Sequence, residues 1–155
     1  MNTKIKFIAR AAIIAALYAV STIALGPIGS GIMQVRASEA LTVLPFFTTA
    51  AIPGLFAGCI VANMVTGMGP WDVLFGSLAT LLAAFLTYKM PNKYLAPLPP
   101  VIVNALVVGT TLGFVLNTPH WIAISLVGLG ELISCYAIGY PLLLLLEKFK
   151  SRLFS

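Results

Sequence analysis

Arg36 and Glu39 stand three residues apart in Met33-Gln34-Val35-Arg36-Ala37-Ser38-Glu39, a closely spaced ion-pair candidate far from the charged ends and loops of a strongly apolar chain. Unpaired charge at bilayer depth costs roughly 2.5–3.5 kcal/mol per residue on insertion scales, so such residues face a cavity or a partner. Glu131, between Gly130 and an apolar run, is a further carboxylate of this kind. Asn63, Asp72 and Asn104 add amide and carboxylate groups that could converge with them on one pocket. The chemistry on offer is the binding of a polar ligand, and Glu39 and Glu131 could also carry protons. Each residue has a plainer alternative. Arg36 and Glu39 could form a structural pair at a helix start, with Ser38 or Glu39 supporting the cap. Asp72, after Pro70-Trp71, could complement a helix dipole, and the two asparagines could join helices by hydrogen bonds. For Glu131 the functional reading is the stronger.

The chain has no phosphate-binding loop with Lys and Ser/Thr, no His-Glu-x-x-His and no nucleophile elbow, and its single histidine, His120, falls in a loop. No catalytic activity, cofactor or metal is therefore expected, and any uphill transport must draw its energy from a partner or a coupling ion.

Composition says what positions these groups. With 60% hydrophobic and 8% charged residues, the chain departs far from a soluble domain, where about a quarter of residues are charged. It reads as a single all-α integral membrane domain over residues 1–155. The net charge of +5 sits at the edges of apolar segments, where it orients a chain in a bilayer, so nucleic acid is a poor partner. Cys59 and Cys135 lie inside apolar runs and read as small buried hydrophobes. The basic amino terminus resembles a signal peptide, but the run from Ala11 to Leu25 continues without a cleavage site and reads as a first span.

Gly, Pro and charge divide the sequence into six candidate spans at 5–25, 38–49, 52–66, 71–89, 97–116 and 121–148. Joining the second to the third would bury Pro45 and Pro53 inside one helix, where each removes a backbone hydrogen bond. Six spans also place Lys4, Lys6, Arg10, Lys89, Lys93, Lys148, Lys150 and Arg152 on the cytoplasmic side together with both termini, leaving only Arg36 outside. Trp71 and Trp121 then begin helices at the outer interface. At about 1.5 Å per residue the second helix rises only about 18 Å, short of a hydrocarbon core of about 30 Å. The preceding 26–35 loop, with Gly26, Gly29 and Gly31, is expected to cap an outward-facing pocket. On the first helix, Ala11, Ala15 and Ala19 recur every four residues beside Ala12 and Ala16. So flat a face suits close approach of another helix, either within the bundle or from a partner subunit.

An ordered set of motifs is similar to one family. Val35-Arg36-Ala37-Ser38-Glu39-Ala40-Leu41, Ile52-Pro53-Gly54-Leu55, Ala62-Asn63, Asp72 with Phe75-Gly76, Pro99 with Asn104-Ala105, and Gly130-Glu131 resemble the QueT family of queuosine-precursor transporters over nearly the whole chain. These are substrate-binding S components of energy-coupling factor (ECF) transporters. The resemblance implies a six-helix bundle in the cell membrane that takes substrate from outside and delivers it by association with a transmembrane coupling subunit and two ATPases. It implies that Ala11, Ala15 and Ala19 match the alanine-rich contact with the coupling subunit. The implied ligand is a 7-deazaguanine such as 7-aminomethyl-7-deazaguanine, or queuine. On that reading Glu39 or Glu131 accepts the two adjacent N–H groups of the guanine-like edge and the other lies near the amine. Asn63, Asn104 or Arg36 would reach the carbonyl oxygen, and Phe46, Phe47, Trp71 or Tyr136 could stack on the base. The alternatives are an S component for another vitamin and a stand-alone proton-coupled carrier using Glu131 as a relay.

Overall fold

Apolar stretches punctuated by glycine and proline fold here into helices of unequal length. The computed structural model describes residues 2–28 and 32–154. The chain begins with α1 (Thr3–Leu25) and a short antiparallel ribbon of β1 (Pro27–Ile28) and β2 (Val35–Arg36). Then come a 3-10 helix, α2 (Ala37–Phe46), and the helices α3 (Ala51–Thr66), α4 (Asp72–Tyr88), α5 (Leu98–Val115) and α6 (His120–Lys148). A single turn, α7 (Lys150–Leu153), closes the described chain. Gly29 and Gly31 of the expected capping loop lie outside the described residues. Gly26 adopts φ 61°, in the left-handed region that glycine tolerates best, and turns the chain out of α1.

Among the described residues, α1, α5 and α6 have the length and apolarity to cross a bilayer, and α3 and α4 are shorter apolar helices. Polarity is distributed inside out. Ile8, Val20, Met64, Leu106 and Phe114 are exposed, while Ser38, Glu39, Asn63, Asp72 and Asn104 are buried. In water so much exposed apolar surface would drive association; against lipid it is the stable arrangement. The chain is an all-α membrane helical bundle.

Two expectations are revised. The second helix has 3-10 rather than α geometry and stops at Phe46. Pro45 lacks the N–H that an α-turn would tie back to Leu41, and the Thr42 hydroxyl donates to the Glu39 carbonyl at 2.5 Å. At about 2.0 Å rise per residue, its ten residues still span about 20 Å. The chain then turns through residues 47–50, and Pro53 sits in the first turn of α3, where no N–H is needed. The second concerns α4 and α6, read from the sequence only as apolar spans at 71–89 and 121–148. They contain π-helical segments at Asp72–Gly76 and Ile133–Gly139, where the backbone widens beside the site described below.

Glycines let the helices touch. A Cβ on Gly54 or Gly58 of α3 would stand 2.7 Å from the carbonyl oxygen of Ala11 or Ala15 of α1. Gly109 of α5 lies equally close to Ile124 of α6. The resulting α1–α3 core gathers Ile14, Tyr18, Ala19, Leu55, Cys59 and Ala62. Basic residues collect at one end of the bundle. Lys6 and Arg10 share a cleft with Thr48 and Thr49, Lys148 and Lys150 share one with Phe47 and Phe154, and Lys93 pairs with Glu147 at 3.0 Å.

Candidate functional site

All six residues singled out as a binding set, Arg36, Glu39, Asn63, Asp72, Asn104 and Glu131, line one internal cavity of about 40 Å³. They come from β2, α2, α3, α4, α5 and α6 in turn, so every one of those elements contributes a polar group. Gln34, Cys59 and Thr80 add to the polar wall, and Ile32, Val108, Leu112 and Val127 form the apolar one.

Glu39, at the start of α2, is buried to 3% exposure. The Tyr18 hydroxyl of α1 donates to its Oε1, and the Asn104 amide of α5 donates to its Oε2 at 3.4 Å. Glu131 accepts from the Cys135 thiol one turn along α6, Sγ to Oε2 3.6 Å. Cys135 also contacts Thr42 at 3.7 Å, which ties α6 to α2. A half-buried carboxylate with so few donors holds lone pairs in reserve for a ligand.

The expected pairing of Arg36 with Glu39 is not the one formed. Arg36 has extended backbone, φ −108° and ψ 120°, and the chain turns into α2 immediately after it, so the two side chains diverge. Its Nη2 donates to Gln34 Oε1 at 3.1 Å and stands 3.9 Å from Asp72 Oδ2 across the cavity. The Arg36 backbone N–H is fixed by Ser134 Oγ of α6 at 3.1 Å, and Ser134 in turn donates to the Gly130 carbonyl at 2.9 Å. Gly130 packs its Cα directly on the Gln34 backbone, leaving no room for a side chain. These contacts clamp the 34–36 segment onto α6.

Asn63 donates to the Asp72 carbonyl at 3.2 Å and so joins α3 to α4 as well as lining the cavity. Asn63 Oδ1, Asp72 Oδ2 and Asn104 Oδ1 are buried and accept no hydrogen bond among the described residues. Buried polar atoms of this kind cost about 1–3 kcal/mol each when left unpaired, which favours a ligand that supplies donors.

The aromatic residues considered for stacking lie elsewhere. Phe46 and Phe47 pack edge to face with centroids 5.4 Å apart, and Phe47 stacks on Phe154 at the basic end. Trp71 stacks on Phe75 at 6.1 Å and is exposed, and Tyr136 donates to the Tyr94 carbonyl at 3.2 Å. His120, at the start of α6, is exposed and packs near Gly113. Ala11 and Ala15 are half-buried and Ala19 is buried against α3, while Ala12 and Ala16 are exposed. Sequence reasoning passed over Tyr18 and Thr80 and read Cys59 and Cys135, which are indeed buried, only as small hydrophobes. Tyr18 carried a usable signal, since it follows Ile14 and precedes Thr22 at four-residue spacing on the α1 face that turns inward.

A helical bundle with an apolar exterior and a partly open polar cavity among the described residues has the build of a membrane transport protein that holds a small polar solute. The QueT transporter family model matches residues 8–148, nearly the whole chain, and the protein belongs to that family. No curated protein and no solved structure shows significant similarity to it.

Proposed function

We propose that the chain is the substrate-binding S component of an ECF-type importer. It takes a queuosine precursor, 7-aminomethyl-7-deazaguanine or queuine, from the outer side. It delivers that ligand through a transmembrane coupling subunit and two ATPases and has no catalytic activity of its own. The observation that carries this reading is the set of unsatisfied acceptors on the cavity: Asn63 Oδ1, Asp72 Oδ2 and Asn104 Oδ1, with Glu39 and Glu131 beside them. A deazaguanine presents adjacent N–H donors on its pyrimidine edge, a further ring N–H and, in the aminomethyl compound, an ammonium. It matches this wall better than a ligand rich in acceptors.

In this reading Glu39 and Glu131 receive the base edge and Asn104 sets the tilt of Glu39. A cavity of about 40 Å³ has room for about three waters, so a bicyclic base enters only when the lining moves outward. Residues 34–36 are the element to move, because Gln34 and Arg36 line the cavity and the Arg36 backbone is tied to Ser134 Oγ by a hydrogen bond rather than by a packed helix. Six membrane crossings, with the 3-10 helix α2 as the short second one, put the basic end of the bundle and both termini in the cytoplasm. The exposed side of α1 then offers Ala12 and Ala16 to the coupling subunit, while Ala11, Ala15 and Ala19 face α3.

Reconstitution separates this reading from a stand-alone carrier. Proteoliposomes holding the chain alone are expected to show no uptake under a proton gradient, and uptake is expected once the coupling subunit and ATPases are added with ATP. Gradient-driven uptake by the chain alone would contradict the proposal.

A further inference from the structure

The cavity wall divides into two clusters. One is Tyr18, Glu39 and Asn104, where both carboxylate oxygens already have donors. The other is Asp72 and Asn63, joined by the 3.2 Å bond from Asn63 Nδ2 to the Asp72 carbonyl. In this second cluster two oxygens, Asp72 Oδ2 and Asn63 Oδ1, are buried and accept no hydrogen bond among the described residues. Asn63 Nδ2 is committed to the Asp72 carbonyl and to Cys59 Sγ at 3.5 Å, so the network itself fixes which end of the amide is oxygen. Gly76 supports the pair from below, since a Cβ there would stand 3.3 Å from Asn63 Nδ2 and from Asp72 Oδ1.

The cavity carries three carboxylates, Glu39, Asp72 and Glu131, against the single guanidinium of Arg36. That guanidinium is near Asp72 without bonding to it: 3.9 Å is too long for a hydrogen bond, and the same Nη2 donates to Gln34 Oε1 at 3.1 Å. A buried carboxylate oxygen and a buried amide oxygen on two residues joined by a hydrogen bond, both without a donor and with a cation close but not engaged, form a site for a second, better-placed cation.

We infer that Asp72 and Asn63 bind the ammonium arm of the ligand, and that Arg36 is the internal cation whose place that arm takes. The inference rests on the functional reading above and deepens it, because it chooses among deazaguanines. Those with a protonated aminomethyl nitrogen are favoured, and a neutral 7-cyano analogue, which brings an acceptor to two acceptors, is disfavoured. Engagement of Asp72 by the ligand also takes the nearby counter-charge from Arg36, so occupancy of the cavity is passed to β2.

The test compares affinities of the purified chain for 7-aminomethyl-7-deazaguanine and 7-cyano-7-deazaguanine by calorimetric titration. The unmodified protein is expected to prefer the amine by about tenfold to a hundredfold, the range of a charge-assisted hydrogen bond. Asp72→Asn should bring that ratio close to one, and Arg36→Gln, which removes the competing cation, should raise it. The double variant Arg36→Gln/Asp72→Asn removes one charge of each sign, so the net charge of the cavity is unchanged, and it guards against misfolding of the single one; it too should show a ratio near one. A wild-type ratio near one, or a ratio that survives both Asp72→Asn and the double variant, overturns the inference while leaving the deazaguanine reading intact. Failure of the unmodified protein to bind either compound overturns that reading and this assignment with it.

Discussion

At the residue scale, Glu39 concentrates more of the site's chemistry than any other side chain, and its environment says why. Its two oxygens receive a phenol and an amide, and its own carbonyl receives the Thr42 hydroxyl, so the carboxylate is fixed in direction before a ligand arrives. Fixing a group in advance lowers the entropy lost on binding. Glu39→Gln keeps the shape and removes the charge. We expect it to weaken deazaguanine binding by about tenfold to a hundredfold, read by calorimetry. Tyr18→Phe removes one donor to a buried carboxylate and should lower thermal stability by about 1–3 kcal/mol, with a smaller effect on affinity than Glu39→Gln. A melting curve on the detergent-purified variant checks it. All six polar candidates were legible in the sequence, because polar side chains inside apolar runs are costly and therefore conspicuous. Their pairing was not. Three-residue spacing suggested Arg36 with Glu39, yet the switch from extended to 3-10 backbone at Ala37 sends Arg36 towards Asp72 instead. Tyr18 and Thr80 escaped notice, and Cys59 and Cys135 were read only as small buried hydrophobes, because phenol, thiol and hydroxyl are inexpensive in apolar helices and so do not stand out.

At the scale of elements, the cavity depends on helices that approach closely on one side and open on the other. Gly54 and Gly58 seat α3 on the α1 backbone, and Tyr18 lies in that same contact, 2.9 Å from the position a Cβ on Gly58 would take. Gly58→Ala therefore pushes against the Ala15 backbone and the base of Tyr18. A cost of about 1–3 kcal/mol is expected, together with weaker ligand binding because the Tyr18 hydroxyl is displaced from Glu39. Measuring both quantities on one preparation separates this from a purely local packing defect, which would lower stability and leave affinity as it was. Gly130→Ala should act differently: its Cβ would strike the Gln34 backbone and unseat the 34–36 segment, raising the ligand off-rate in a stopped-flow chase. Span boundaries were read to within a few residues from Gly, Pro and charge, and the break between α2 and α3 follows from Pro45 and Pro53. The 3-10 geometry of α2 and the π segments of α4 and α6 were not readable. They arise from packing between elements distant in sequence, for which apolar periodicity carries no signal.

For the molecule as a whole, an apolar exterior, a buried polar cavity and a basic end describe a protein that lives in a bilayer and holds a small solute. The family match over residues 8–148 makes it a QueT transporter. Because the phosphate-binding machinery of an ATPase is missing from the sequence, we assign the energy-dependent step to partners and the selective step to this chain. The selective step is therefore where the account is most exposed. Titration of the purified chain with 7-aminomethyl-7-deazaguanine, in parallel with a Glu39→Gln/Glu131→Gln double variant, tests it directly. The account predicts saturable one-to-one binding to the unmodified protein and loss of about a hundredfold or more in the double variant, which lacks the two carboxylates proposed to receive the base edge. No binding to the unmodified protein, or equal affinity in the folded double variant, would contradict it.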